Sequence, residues 1–148
     1  RADGGSVSTE PHAQLPIADL LATADVISLH VPLTTSTRGM VGAREFALMK
    51  PGALLVNTAR GALIDMPALR AAISSGALGG FAADVLEIEP PRPDDPLLAS
   101  DRVVITPHVA SLTSATYRSL CLFTAENVLH VLNGRIPDPL SVCGSVKR

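Results

Sequence analysis

Apolar residues recur along this chain with two periods, one helical and one extended. Pro16-Ile17-Ala18-Asp19-Leu20-Leu21 puts Ile17, Leu20 and Leu21 on one face and has proline in a first turn, which predicts a short helix. Asp25-Val26-Ile27-Ser28-Leu29-His30-Val31 is rich in β-branched residues and is closed by Pro32, which predicts a strand. Residues 43–49 read as a short helix stopped by Pro51-Gly52, and residues 53–58 as a second apolar strand. Asp65 is suited to an N-cap, Pro67 to a first turn and Gly76 to a helix end. They frame a helix whose buried face includes Leu69, Ala72 and Ile73. Residues 80–85 form a third strand, residues 89–96 a proline-rich loop, and residues 102–106 a fourth strand ended by Pro107. A long helix is expected over 113–133, with Leu120, Thr124, Val128 and Leu132 at helical spacing and Gly134 at its end.

The strands are continuous apolar runs rather than alternating ones. Strands buried on both faces look like this, which predicts a parallel sheet with helices on each side: α/β, doubly wound. Residues 1–14 are rich in Gly, Ser, Pro and polar groups and read as an irregular segment; the tail over 135–148 is Pro-bearing and also irregular. There is no internal repeat and no low-complexity tract.

Composition narrows the function classes. A chain of 148 residues allows one ordinary domain. With 47% hydrophobic residues it has ample core material, which excludes disorder for most of its length. Twelve basic against fourteen acidic residues leave a net charge of -2 and no electrostatic footprint for nucleic acid. No apolar run approaches the ~18 residues of a membrane span. Cys121 and Cys143 lack zinc spacing and cannot make a disulfide framework. The first residues are small and polar with no signal-peptide core, so a cytoplasmic protein is expected. The chain does not start with Met, as expected of a piece of a longer one.

In doubly wound sheets ligands sit beyond the carboxyl ends of the strands. The four strands here are followed by His30, by Arg60, by Asp84 with Glu87 and Glu89, and by His108, so one rim collects cations, acids and imidazoles. Arg60 before Gly61, which permits a tight turn, is either a fork for a carboxylate or a surface arginine of a strand–helix loop. His108 after Pro107 is either a proton donor or a hydrogen-bonded histidine. A carboxylate beside it would favour the imidazolium; Glu89 and Glu87 compete for that place. Asp84 ends an apolar strand, is expected to be partly buried, and so needs a partner: a polar ligand group or a backbone N–H. His30 and His130 read as packed histidines. The glycine loop of a dinucleotide fold is absent; Gly76-Ala77-Leu78-Gly79-Gly80 follows a helix and reads as a cap and turn.

Together, Asp25-Val26-Ile27-Ser28-Leu29-His30-Val31-Pro32-Leu33-Thr34, Met49-Lys50-Pro51-Gly52-Ala53-Leu54-Leu55-Val56-Asn57-Thr58-Ala59-Arg60-Gly61, Ala83-Asp84-Val85 with Glu89-Pro90, and Thr106-Pro107-His108 resemble the D-2-hydroxyacid dehydrogenases. The resemblance runs from about Leu15 to Gly134. It implies a partial doubly wound, Rossmann-like sheet with flanking helices, residues 15–134 being the second half of a dinucleotide-binding domain. It implies NAD(P)-dependent interconversion of a 2-oxo acid and a D-2-hydroxy acid, NAD or NADP being the cofactor. Arg60 matches the substrate-binding arginine, Glu89 the catalytic glutamate, which decides against Glu87, and His108 the acid/base histidine. Asp84 matches the acid that meets the nicotinamide carboxamide. Val31, Thr58, Ala59 and Ala110 match positions that line the cofactor, as do Arg60 and His108. The implied partners are a small 2-oxo or 2-hydroxy acid and, in the intact protein, a second subunit.

The family's chain is much longer. Missing are most of the substrate domain, the first Rossmann strand, its glycine loop and the second strand, so the isolated chain is expected to be inactive. The first strand here would then be an unpaired apolar edge. Met66 stands where the family has an acid, and Arg1 could have been a 2′-phosphate contact. A second reading is an NAD(H)-sensing binding protein similar to the C-terminal-binding-protein corepressors. It is suggested by Gly134-Arg135-Ile136-Pro137-Asp138 with Cys143 and weakened by the absence of any tryptophan. A third is an inactive remnant.

Overall fold

The computed structural model describes residues 14–138 and 141–142. Arg1, most of the expected irregular segment over 1–14 and Cys143 lie outside the described residues. The chain divides into two compact units, one up to Pro107 and one from His108.

The first unit runs α1 (Ile17–Thr23), β1 (Val26–Leu29), α2 (Ala43–Leu48), β2 (Leu54–Asn57), α3 (Met66–Ser75), β3 (Gly80–Ala83) and β4 (Val103–Ile105). Two short 3-10 turns that the sequence pattern did not predict, Gly61–Leu63 and Pro96–Ala99, complete it. The strands form one parallel sheet in the order β1-β2-β3-β4. Local chemistry sets the element ends. The Asp65 carboxylate accepts the Ala68 N–H at 3.0 Å to cap α3, and Gly76, at φ 77°, closes it in the left-handed conformation that glycine adopts without strain.

Leu21 of α1, Phe46 of α2, and Leu69, Ala72 and Ile73 of α3 join Ile27, Leu29, Leu55, Phe81 and Ala83 of the strands in one buried cluster. Each fully buried Leu contributes about 1.5–3 kcal/mol. The strand residues of this cluster share one face of the sheet, since Ile27, Leu55 and Phe81 are in register. The opposite face is different: Val26, Leu54 and Val104 are 57%, 44% and 62% exposed. The strands, read as buried on both sides, are therefore deeply buried on one. Each strand adds beside the last, so crossovers of the usual hand lay α2 and α3 on the same side, and α1, which precedes β1, joins them there through Leu21.

The second unit consists of the turn after His108, α4 (Ser114–Leu132) and the segment that follows. Thr113 caps α4 by accepting the Thr116 N–H, and Gly134, at φ 68°, follows its end. No α4 residue is buried; Leu120, Val128 and Leu132, at helical spacing, are all exposed. No helix among the described residues is long and apolar enough to cross a membrane.

Candidate active site

The site of the first unit is assembled at the carboxyl ends of β2, β3 and β4, which hydrogen bonds tie in series. The Asp84 N–H donates to the Asn57 carbonyl at 3.0 Å, and the Thr106 N–H to the Ala83 carbonyl at 2.9 Å. Successive strand ends thus hold Asn57, Asp84 and Thr106 side by side.

Arg60 belongs to the turn that leaves β2. Asn57, fully buried, spans that turn: its Nδ2 donates to the Arg60 carbonyl at 2.9 Å and its Oδ1 accepts the Ala59 N–H at 3.0 Å. The turn continues into the Gly61–Leu63 3-10 turn, whose Leu63 N–H also donates to the Arg60 carbonyl. The Arg60 guanidinium is exposed, donates through Nη1 to the Ala59 carbonyl at 2.6 Å, and forms no ion pair with any described carboxylate. Gly61, read from the sequence as permitting a tight turn, serves a different purpose. Its backbone is not left-handed, but a Cβ there would lie 2.0 Å from the Leu86 carbonyl carbon and 2.2 Å from the Glu87 nitrogen. Only a glycine lets the arginine-bearing turn approach the acidic loop this closely.

Asp84 is 6% exposed and accepts the Thr106 hydroxyl at 2.5 Å. A buried carboxylate needs such donors, and with two oxygens it can accept more than one. Glu89 lies on the acidic loop, where its Oε1 accepts the Leu86 N–H at 2.7 Å, and its bond to Pro90 is cis. Its competitor Glu87 is turned to Arg38, with 3.8 Å between charged atoms, an exposed pair of the weak kind. Thr58 is exposed and Ala59 half-buried on the arginine turn; Val31 is exposed beyond β1.

His30 is not the packed histidine expected from its place at a strand end. It is exposed, and its Nε2 is 2.8 Å from the Ser28 Oγ. The reason is that it follows β1 just where the chain leaves the sheet for an exposed loop. His130 is half-buried in α4.

His108 and Ala110 begin the second unit, both exposed. His108 is the one described non-glycine residue with positive φ, 57°. Such a conformation costs of order 1–3 kcal/mol, and strained residues cluster at functional sites. Two contributors escaped the sequence reading, Asn57 and Thr106. The available signal was a polar residue at the carboxyl end of an otherwise apolar run.

The family model for the NAD-binding domain of D-isomer specific 2-hydroxyacid dehydrogenases matches residues 4–110. A glyoxylate reductase of Aeropyrum pernix is 43% identical over 124 residues, 84% of this chain and 37% of that protein. The crystal structure of the TT0316 protein from Thermus thermophilus superposes with a TM-score of 0.83 at 42% identity, covering 89% of this chain and 42% of that one. A D-isomer specific 2-hydroxyacid dehydrogenase from Xanthobacter autotrophicus Py2, crystallised with NADPH and MES, superposes with a TM-score of 0.68 at 35% identity, covering 80% and 48%. The chain thus spans less than half the length of each of these three proteins.

Proposed function

The chain belongs to the D-isomer specific 2-hydroxyacid dehydrogenases through their NAD-binding domain, and from that premise we propose that it carries the reacting groups for interconverting a 2-oxo acid and a D-2-hydroxy acid. The observation that carries this reading is Arg60: an exposed guanidinium at a strand's carboxyl end, tethered to its own turn and without a described carboxylate partner. A planar fork of N–H donors suits a substrate carboxylate, which it grips by two parallel hydrogen bonds while polarising the adjacent ketone.

The residues present fit a nicotinamide cofactor. Asp84 offers a buried, hydrogen-bonded carboxylate to accept the carboxamide N–H, and Val31, Thr58, Ala59 and Ala110 would hold the rest of that end. When bound, NADH or NADPH supplies the hydride for the carbonyl carbon. His108 would give the proton to the carbonyl oxygen, and Glu89 would be the catalytic carboxylate beside it. The left-handed backbone of His108 supports assigning it a function. The whole protein would work as a homodimer. This chain alone, which matches 37% of the Aeropyrum enzyme's length, would bind NAD weakly and not turn over.

The test is binding. Glyoxylate added to the ¹⁵N-labelled chain is expected to shift the amides of residues 58–61, and Arg60→Met to abolish the response. Equal glyoxylate affinity in wild type and Arg60→Met would refute the assignment. Robust NADH oxidation with glyoxylate or hydroxypyruvate would refute the inactivity of the isolated chain.

A further inference from the structure

We infer that Asn57 is a positioning residue, whose buried carboxamide holds the turn over 58–61 in the one shape that presents the Arg60 guanidinium to a carboxylate. The inference rests on the reading of Arg60 just given.

Asn57 occupies an inward position of β2, in register with Leu29 and Ala83, both buried and apolar. The core would accept an aliphatic residue there. A buried amide is tolerated only when its polar atoms are hydrogen-bonded, and both of them are spent on the turn rather than on the core. Because the side chain is fully buried and bonded at both ends, it acts through Arg60 and does not touch substrate.

The bonds form a relay. The Asn57 Oδ1 holds the Ala59 N–H; the Ala59 carbonyl, part of the same residue, holds the Arg60 Nη1. The Asn57 Nδ2 fixes the Arg60 carbonyl, so the backbone is pinned on both sides of the arginine, which is extended at φ -148° and ψ 136°. On the far side the turn cannot retreat, because Gly61 already abuts the Leu86 and Glu87 backbone. The Asn57 backbone carbonyl meanwhile takes the Asp84 N–H. One residue therefore sets the place of the guanidinium relative to the acid that follows β3.

Asn57→Asp tests this, because aspartate has nearly the same shape and its donor depends on protonation. Ionised, it can still accept the Ala59 N–H but sets a negative oxygen against the Arg60 carbonyl. Protonated, its O–H replaces the lost N–H. Burial and the facing carbonyl raise the pKa of such a carboxyl, so protonation falls within reach of mild acid. The full chain, ¹⁵N-labelled, is titrated with glyoxylate from pH 8 to pH 5, and each affinity is divided by that of wild type at the same pH. Asn57→Asp is expected to bind about tenfold more weakly at pH 8 and to approach wild type at pH 5. Asn57→Leu, which keeps the core filled, is expected to stay weak throughout. A ratio of one at every pH for either variant overturns the inference, as does an Asn57→Asp ratio that does not change with pH. Should both variants fail to fold, hydrogen exchange in the wild type decides: a slowly exchanging Ala59 amide supports the clamp and a freely exchanging one overturns it. A wild type indifferent to glyoxylate removes the reading of Arg60 and this inference with it. A responsive wild type with indistinguishable variants removes the inference alone.

Discussion

The two faces of the sheet are built from the same kinds of residue and have different fates. Ile27, Leu55 and Phe81 are at most 5% exposed, whereas Val26, Leu54 and Val104 each expose over two-fifths of their surface. An apolar strand pattern records what a sheet is made to touch, and burial records what the described chain supplies. The first face is therefore where stability resides, and the second is a surface of unmet hydrophobic contact.

The sharpest way to break that contrast is to open a cavity beneath the covered face. Leu69 of α3 and Leu55 of β2 are both fully buried in the shared cluster. Leu69→Ala or Leu55→Ala is expected to lower the unfolding free energy by about 2–5 kcal/mol, read from denaturant midpoints. A loss below about 1 kcal/mol would mean that the cluster is not tightly packed.

The same contrast explains what was legible in the sequence. Local signals were realised: Asp65 caps α3, Gly76 closes it, and Pro107 follows β4. Thr113 and Gly134 likewise bracket α4. Those signals act within a few residues and say nothing about cover. Leu69 and Leu120 both sit at helical spacing, yet the first is buried and the second exposed. Nor could spacing show why Gly61 is needed, because the backbone it abuts lies 25 and 26 residues further along, at Leu86 and Glu87. Asp84 was readable as a partly buried acid, but its partner Thr106 lies just beyond the next strand, 22 residues away. The motif resemblance selected Glu89 over Glu87, and the structure describes different partners for the two.

An intermediate effect is expected where a polar pair guards the covered side. Arg70 of α3 grips Asp95 through two hydrogen bonds, Nε to Oδ1 at 3.1 Å and Nη2 to Oδ2 at 2.5 Å. The hydrogen bond from Arg70, above all, holds the Asp95 carboxyl below its usual range, and the same bond raises the Arg70 pKa. A lowered carboxyl pKa stabilises the fold above the ordinary aspartate value of about 4, and that contribution fades as pH falls through the native value. The arginine's share is present throughout, since its loss would need strongly alkaline solution. Asp95→Asn keeps the acceptor that caps the Pro96–Ala99 turn but loses the charge. It is expected to cost about 1–2 kcal/mol at pH 7, and the gap to wild type should narrow as the pH falls below about 4. A gap that persisted unchanged at acid pH would show that the charge is irrelevant.

The smallest effect on stability belongs to the open face. Threonine is close to valine in shape, suits a strand, and adds a hydroxyl that water can satisfy. Val26→Thr, Leu54→Thr and Val104→Thr are each expected to shift the unfolding free energy by no more than about 0.5 kcal/mol, the range of ordinary surface substitutions. Binding of a hydrophobic dye should nonetheless fall, because these side chains form much of the apolar surface of that face. The two readouts move apart only if the face is open in solution. If any of the three substitutions cost as much as 2 kcal/mol, that face would be packed against something, and the contrast between the two sides of the sheet would be lost.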